Sequence, residues 1–465
     1  MAEGLIESWH FRPAPAVSGD VPGARSAEML AEQRALESNA LAYPREVPVA
    51  FSEGRGATIR DVDGNTFVDF FSGAGALNLG HGHPVVARAA ELQLAQLVHA
   101  LDFPTESRLN LMKLLKPLLP GSLSQRGRFH FGGPTGSDAI EASLKLVRHH
   151  AGRNTIVAFA GSYHGVTDGA RSVTGAAGST QDRRGSVHFT PYAYCYRCPL
   201  KLEPRDCGLA CAELLDDSLK SPASGLGKPA GVIVEPVQGE GGTIVPPPGW
   251  LTRVREITRR HRVPLIADEV QTGFARTGEL FACEHDGITP DVLVISKALG
   301  GIGLPLSAIA FDEGLNSWQP GSHIGTFRGH QVAMAAGAAA IGEIINHDLP
   351  ARASRLGGIA LSLLRSGTDG SPVVGDVRGL GLMIGVELVR DTRSREPWPE
   401  LARQLRRACL SNGLLVEVGG HYDNVVRLLP PLVVTRDLLE RGIEVLLDTL
   451  LSIQPRTPHK RMKPA

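Results

Sequence analysis

The sequence has no surplus of charge of either sign: Lys and Arg total 48, Asp and Glu total 48, and formal charge cancels over 465 residues. That balance excludes a chain-wide field of the kind that draws a protein to nucleic acid or to an anionic membrane. The expected partners are small molecules or a second copy of the same chain. No apolar run approaches the ~18 residues that a membrane span needs. The stretch from Met1 to His10 carries acidic residues and lacks the apolar core of a signal peptide. A soluble cytoplasmic protein is therefore expected. Six cysteines over this length make no disulfide framework, in keeping with a reducing compartment. No internal repeat is evident, and the basic residues His459, Lys460, Arg461 and Lys463 read as a solvated tail.

The length predicts more than one structural unit and a sizeable core. Residues 1–25 are rich in Pro, Gly and Ala without periodicity and read as a disordered or extended segment before a helix near Ser26. The stretch ATIRDVDGNTFVDF alternates apolar and polar residues about Asp63-Gly64, a two-residue hairpin signal, and places residues 26–106 partly in a small subdomain. Over residues 107–347 short apolar runs alternate with helical stretches: GVIVEP, GWLTRVREITRRHR, VPLIADE, DVLVIS. This is the rhythm of an α/β domain with a mostly parallel central sheet. Residues 348–452 read as a C-terminal α+β unit and 453–465 as a flexible tail.

Ligands of such sheets sit beyond the carboxyl ends of the strands. There IADEVQTG delivers Asp268, Glu269 and Gln271, and DVLVIS delivers Lys297. Taken alone, a lysine at a strand end points to water. A lysine that acts as a Schiff-base nucleophile instead needs partial desolvation, which a closed crevice supplies. A carboxylate on the next strand suits a pyridinium nitrogen. FGGPTGSDAIEASLKLVRHH sets a Gly-rich turn at a helix start, with Ile140, Leu144 and Val147 along one face. The backbone N–H groups of Gly136 and Ser137 are positioned for a phosphate on the helix dipole. In GSYHG, Tyr163 offers a ring for stacking on a flat ligand, and a half-buried loop aromatic is the equal alternative.

The set GPTGSDAIEA, SYHG, VEPVQGEGG, ADEVQTGFARTG, ISKALGG, GTFRG and DVRGLGLMIGVEL resembles the class III (fold type I) aminotransferases, in order and from Ala40 to Leu450. The resemblance implies a pyridoxal 5'-phosphate enzyme whose smaller domain is built from both chain ends. It implies that Lys297 holds the cofactor as a Schiff base and that Asp268 pairs with its ring nitrogen. It also implies that Val270 and Tyr163 cover the two ring faces, with His164 beside Tyr163, and that Gln271 lies near the phenolic oxygen. Gly136 and Ser137 would hold the phosphate, and Thr326 would reach it from the other subunit of a homodimer with composite sites. Glu235 would support this network. Arg427 would grip the substrate carboxylate, with Glu240 pairing it when an ω-amine enters.

SNALAYPREVPVAF, LVHALDFPT, WQPGSHIGTFRGHQVAMAAG and LLVEVGGHYDNVVRLLPPL are similar to the diaminobutyrate:2-oxoglutarate branch of that family. The reaction implied is ping-pong transfer of an amino group from glutamate to aspartate 4-semialdehyde. Other ω-aminotransferases, acting on ornithine or 4-aminobutanoate, and epimerases or aminomutases of the same fold are the alternatives. Two positions depart from the pattern. Val166 follows Gly165 where many class III members carry Arg, so no residue is assigned to the distal carboxylate of glutamate, and DEVQ stands where the branch often reads DDIQ. Finally, Cys195, Cys198, Cys207 and Cys211 fall as C-x2-C-x8-C-x3-C, a spacing that suits either a four-thiolate zinc site or four reduced thiols. The chemistry above requires no metal.

Overall fold

The computed structural model describes residues 9–176 and 186–454; the basic residues expected in a solvated tail lie outside them. The short apolar runs form strands. Ile156–Phe159, Gly231–Val234, Leu265–Asp268 and Val292–Ile295 are buried at every position, as strands covered on both faces are. They belong to a seven-stranded sheet in the order Gly127–Gly133, Ser307–Asp312, Val292–Ile295, Leu265–Asp268, Gly231–Val234, Ile156–Phe159, Val187–Thr190. Ser307–Asp312 runs antiparallel to both its neighbours, and the pairs from Val292–Ile295 onward are parallel.

Helices supply the covering layers. Trp250–His261 buries Trp250, Leu251, Val254 and Ile257, spaced at one helical turn, and turns its basic residues outward at its end. Gly136–Ala151 buries Ile140, Leu144 and Val147, the face its periodicity predicts. The small-residue helix Gln331–Asn346 lies directly on the turn that follows Lys297: a Cβ at Gly337 would come 2.2 Å from the carbonyl oxygen of Leu299.

Two four-stranded sheets complete the fold. One joins both chain ends, with Phe51–Arg55, Thr58–Asp61 and Thr66–Asp69 extended by the late strand Leu414–Leu415. The residues before it cross it: Phe11 is buried and Ala16 bridges Thr66. The other is antiparallel, in the order Val374–Leu380, Met383–Leu388, Val425–Leu428, Glu417–Gly419. The hairpin at Asp63-Gly64 forms with three loop residues instead of two. The Asp61 N–H donates to Asn65 O at 3.0 Å, and Gly64, at φ +91°, supplies the left-handed position that this loop demands. No helix among the described residues is long and apolar enough to cross a membrane.

Candidate active site

Leu265–Asp268 and Val292–Ile295 are parallel neighbours, so their carboxyl ends open on the same side. A cavity of about 190 Å³ begins there, lined by Gly136, Ser137, Tyr163, His164, Glu235, Asp268, Val270 and Lys297 among others. Lys297 donates from Nζ to the carbonyl oxygen of Ala74 at 2.8 Å. Desolvation holds its amine below the ordinary lysine value, against the upward pull of Glu240. Its backbone is left-handed, at φ +47°, a strain that a non-glycine residue keeps only where its surroundings over-determine it.

Asp268 is fixed on both carboxylate oxygens. Oδ1 accepts from the Val270 N–H at 3.0 Å, and Oδ2 lies 2.7 Å from His164 Nδ1, with both side chains buried. Glu235 accepts from the N–H of Tyr163 at 2.8 Å and of Gly239 at 2.9 Å, which ties the SYHG loop to the turn before Glu240. Burial pushes its carboxyl up to about 7.

The helix Gly136–Ala151 starts with a capping box. Thr135 accepts from the Asp138 N–H, and the Asp138 carboxylate accepts from the Thr135 N–H at 3.0 Å. The N–H groups of Gly136 and Ser137 make no hydrogen bond among the described residues. The Ser137 hydroxyl accepts from the Val166 N–H at 3.2 Å. Gly165 is required beside it, because its φ is +121° and a Cβ there would come 2.1 Å from Ser137 Oγ.

On the far side of the cavity Arg427 is fully buried. Its Nη1 lies 2.7 Å from Glu240 Oε2 and 2.9 Å from Glu417 Oε2, and its Nη2 donates to Gln271 Oε1 at 2.7 Å. Gln271 in turn donates to Ala74 O at 3.2 Å and Glu240 Oε1 at 3.3 Å. The Ala74 carbonyl thus joins the lysine to the arginine network. These groups provide a nucleophilic amine, a braced carboxylate, an anion cradle and a buried cation around one cavity.

The family model described as Aminotransferase class-III matches residues 42–450. The chain belongs to the class III aminotransferases. This aminotransferase is 41% identical over 423 residues to a diaminobutyrate-2-oxoglutarate aminotransferase of Rhizobium meliloti, covering 89% of this chain and 90% of the relative. It is 39% identical to the enzyme of the same name from Haemophilus influenzae, covering 87% and 91%. Among solved structures it is similar to an amine transaminase from an uncultivated Pseudomonas species, in the PLP-bound (internal aldimine) form, with a TM-score of 0.82, 30% identity and coverage of 90% and 98%. Its fold is that of the fold type I enzymes, with a mostly parallel central sheet and a smaller part built from both chain ends.

In this aminotransferase most residues singled out in the sequence gather at one place; Glu269 instead turns away from the cavity, its carboxylate accepting from the N–H groups of Ala282 and Cys283, and Thr326 and His164 differ as well. Thr326 is exposed and away from the cavity, its carbonyl accepting from His99 Nε2 at 2.8 Å. His164 lies against Asp268 as well as beside Tyr163. Val166 is exposed, and no arginine takes its place in the cavity lining. The sequence reading missed Ala74 and Glu417. Ala74 acts through its carbonyl and leaves only the Gly-rich run SGAG as a signal. Glu417 is an acid within the apolar run LLVEV. The thiols of Cys195, Cys198, Cys207 and Cys211 are free. Among the described residues, no group of three or more His, Cys, Asp and Glu side chains could hold a metal ion.

Proposed function

We propose that this chain is a pyridoxal-5'-phosphate-dependent transaminase that interconverts L-glutamate plus L-aspartate 4-semialdehyde with 2-oxoglutarate plus L-2,4-diaminobutanoate. The observation that carries the proposal is the pairing, across one cavity, of a desolvated Lys297 amine and an Asp268 carboxylate held by His164. The residues present fit the coenzyme. The N–H groups of Gly136 and Ser137, without a hydrogen bond among the described residues, suit its phosphate, and a Cβ at Gly136 would crowd the Val270 side chain at 2.9 Å. When bound, pyridoxal phosphate supplies an electron-poor ring that takes up the electron pair of a breaking C–H bond.

Lys297 Nζ would hold the coenzyme covalently and would serve as the base that carries the proton from the substrate carbon. Its basicity, lowered by burial, favours both tasks. Asp268 would pair with the ring nitrogen, and His164 fixes the orientation of that carboxylate. Tyr163 and Val270 would flank the ring and Gln271 would lie near its phenolic oxygen, while Glu235 holds the Tyr163 loop in place. Arg427 binds a carboxylate on the reacting carbon, its planar fork matching both oxygens. Glu240 pairs with Arg427 when an ω-amine enters.

The active unit is proposed to be a homodimer in which Thr326 of each chain reaches the phosphate in the other. The exposed Ile324 and Phe327 on either side of Thr326 support a surface that a second copy covers. The names of the relatives support the choice of substrates. A donor panel tests it: glutamate and 2,4-diaminobutanoate should each bleach the coenzyme's visible band, whereas ornithine and 4-aminobutanoate should not. Equal response to all four donors would defeat the narrow reading.

A further inference from the structure

Arg427 carries one more carboxylate than the pairing with Glu240 requires. Glu240 lies in a turn and its side chain keeps 29% exposure, which leaves it room to swing away when a substrate carboxylate arrives. Glu417 cannot leave in the same way. It is the direct cross-strand partner of Arg427 between Glu417–Gly419 and Val425–Leu428, and its side chain is 10% exposed. Strand register sets the Glu417 backbone opposite Arg427, and the buried side chain brings its Oε2 to 2.9 Å from Nη1. That contact is an ion pair only: Glu417 Oε2 is buried without a hydrogen bond among the described residues.

We propose that Glu417 is a specificity-determining residue, a fixed carboxylate beside Arg427 that opposes the docking of a carboxylate borne by the donor's reacting carbon. The inference rests on the transaminase reading above and deepens it. The reacting carbon of glutamate bears a carboxylate that must share Nη1 with Glu417 even after Glu240 has moved. The C4 carbon of 2,4-diaminobutanoate bears none, so this donor enters with the Arg427–Glu240–Glu417 set intact. The site is thereby tilted toward the ω-amine.

Other charged and titratable groups face Glu417 from several sides. They are Glu240 and Lys297 across the cavity, Glu46 and Tyr43 from the short helix Tyr43–Glu46, and Tyr163 from its loop. Burial raises the Glu417 carboxyl to about 7, with Arg427 pulling it down and Glu240 pushing it further up. Protonation below that pH removes the opposing charge. Glutamate should therefore dock more tightly as pH falls, and diaminobutanoate should not respond.

The test compares holoenzyme of the parent, Glu417→Gln and Glu417→Asp. Single-turnover half-reactions give an apparent Kd for each donor separately from the limiting rate. Calorimetry with glutarate, a dicarboxylate without an amine, reads docking without turnover. At pH 8, Glu417→Gln is expected to tighten glutamate and glutarate roughly tenfold, the equivalent of about 1.4 kcal/mol, with no matching shift for diaminobutanoate. At pH 6 the gap should close, and Glu417→Asp, which keeps the charge, should stay near the parent. The inference is overturned if both donors shift together, if glutamate weakens, or if the parent binds glutarate equally at pH 6 and pH 8. If Glu417→Gln does not fold, the pH comparison is read on both donors together: tightening of glutamate and glutarate at pH 6 without a matching shift for diaminobutanoate supports the inference, and a common shift, such as titration of Glu235 would give, overturns it. A parent that converts neither donor would instead count against the transaminase reading, and the glutarate measurement would still report on Glu417.

Discussion

His164 Nδ1 lies 2.7 Å from Asp268 Oδ2, inside the protein, on the side of the cavity where a cofactor ring nitrogen is proposed to sit. A buried carboxylate with a fixed partner holds its direction, and an electrostatic contribution of that kind is worth ~10²–10³ in rate. Asp268→Asn should therefore lower kcat by about that factor. His164→Phe, which keeps a ring but no partner for the carboxylate, should lower it by roughly ten- to a hundredfold, by analogy with groups that orient a ligand. Steady-state kinetics with coenzyme content measured in parallel checks both. Asp268→Asn at more than a tenth of parent activity would contradict the role given to the pair.

Gly165 bears on the phosphate cradle through one contact. A methyl there would meet Ser137 Oγ at 2.1 Å and would sit on a backbone that L-residues rarely adopt. Gly165→Ala should displace the start of the helix Gly136–Ala151 and raise the coenzyme dissociation constant at least about tenfold, or about 1.4 kcal/mol. Coenzyme retention after dialysis reads this directly. Unchanged retention would show that the cradle does not depend on this packing.

Glu235 gives a pH effect with a definite sign. Its folded carboxyl is raised by burial to about 7, from an ordinary value of 4.5, so the folded chain holds that proton more tightly than the unfolded chain. The stability linked to it is complete below about pH 4.5 and is lost as pH rises through about 7; a shift of this size is worth about 3 kcal/mol. Glu235→Gln removes the ionisation. The gap in thermal midpoint should therefore move in favour of the variant between pH 5 and pH 8, and a gap independent of pH would contradict the assignment.

The parts of the site legible in the sequence were those carried by strong local patterns. Apolar strands that stop abruptly at Asp268 and before Lys297, and a Gly-rich turn before a helix with one apolar face, each put a chemical group at a predictable end. The missing parts depend on chain that is distant in sequence. The Ala74 carbonyl has no side-chain signature. Glu417 faces Arg427 only because two very short strands pair in one particular register, and the bond from the Tyr163 N–H to Glu235, a residue the sequence did single out, spans 72 positions. The hairpin gained a third loop residue because Asp61 Oδ1 accepts from the N–H groups of both Asp63 and Asn65. The cysteine spacing admitted two readings because spacing alone does not set the ~2.3 Å geometry that a zinc ion imposes on its thiolates.

The covalent role of Lys297 carries the whole account. Borohydride reduction of the holoenzyme, followed by peptide mapping by mass spectrometry, should find the coenzyme fixed on the Lys297 side chain, and Lys297→Ala should lose both the label and turnover. Label on another lysine, or full turnover in Lys297→Ala, would contradict it.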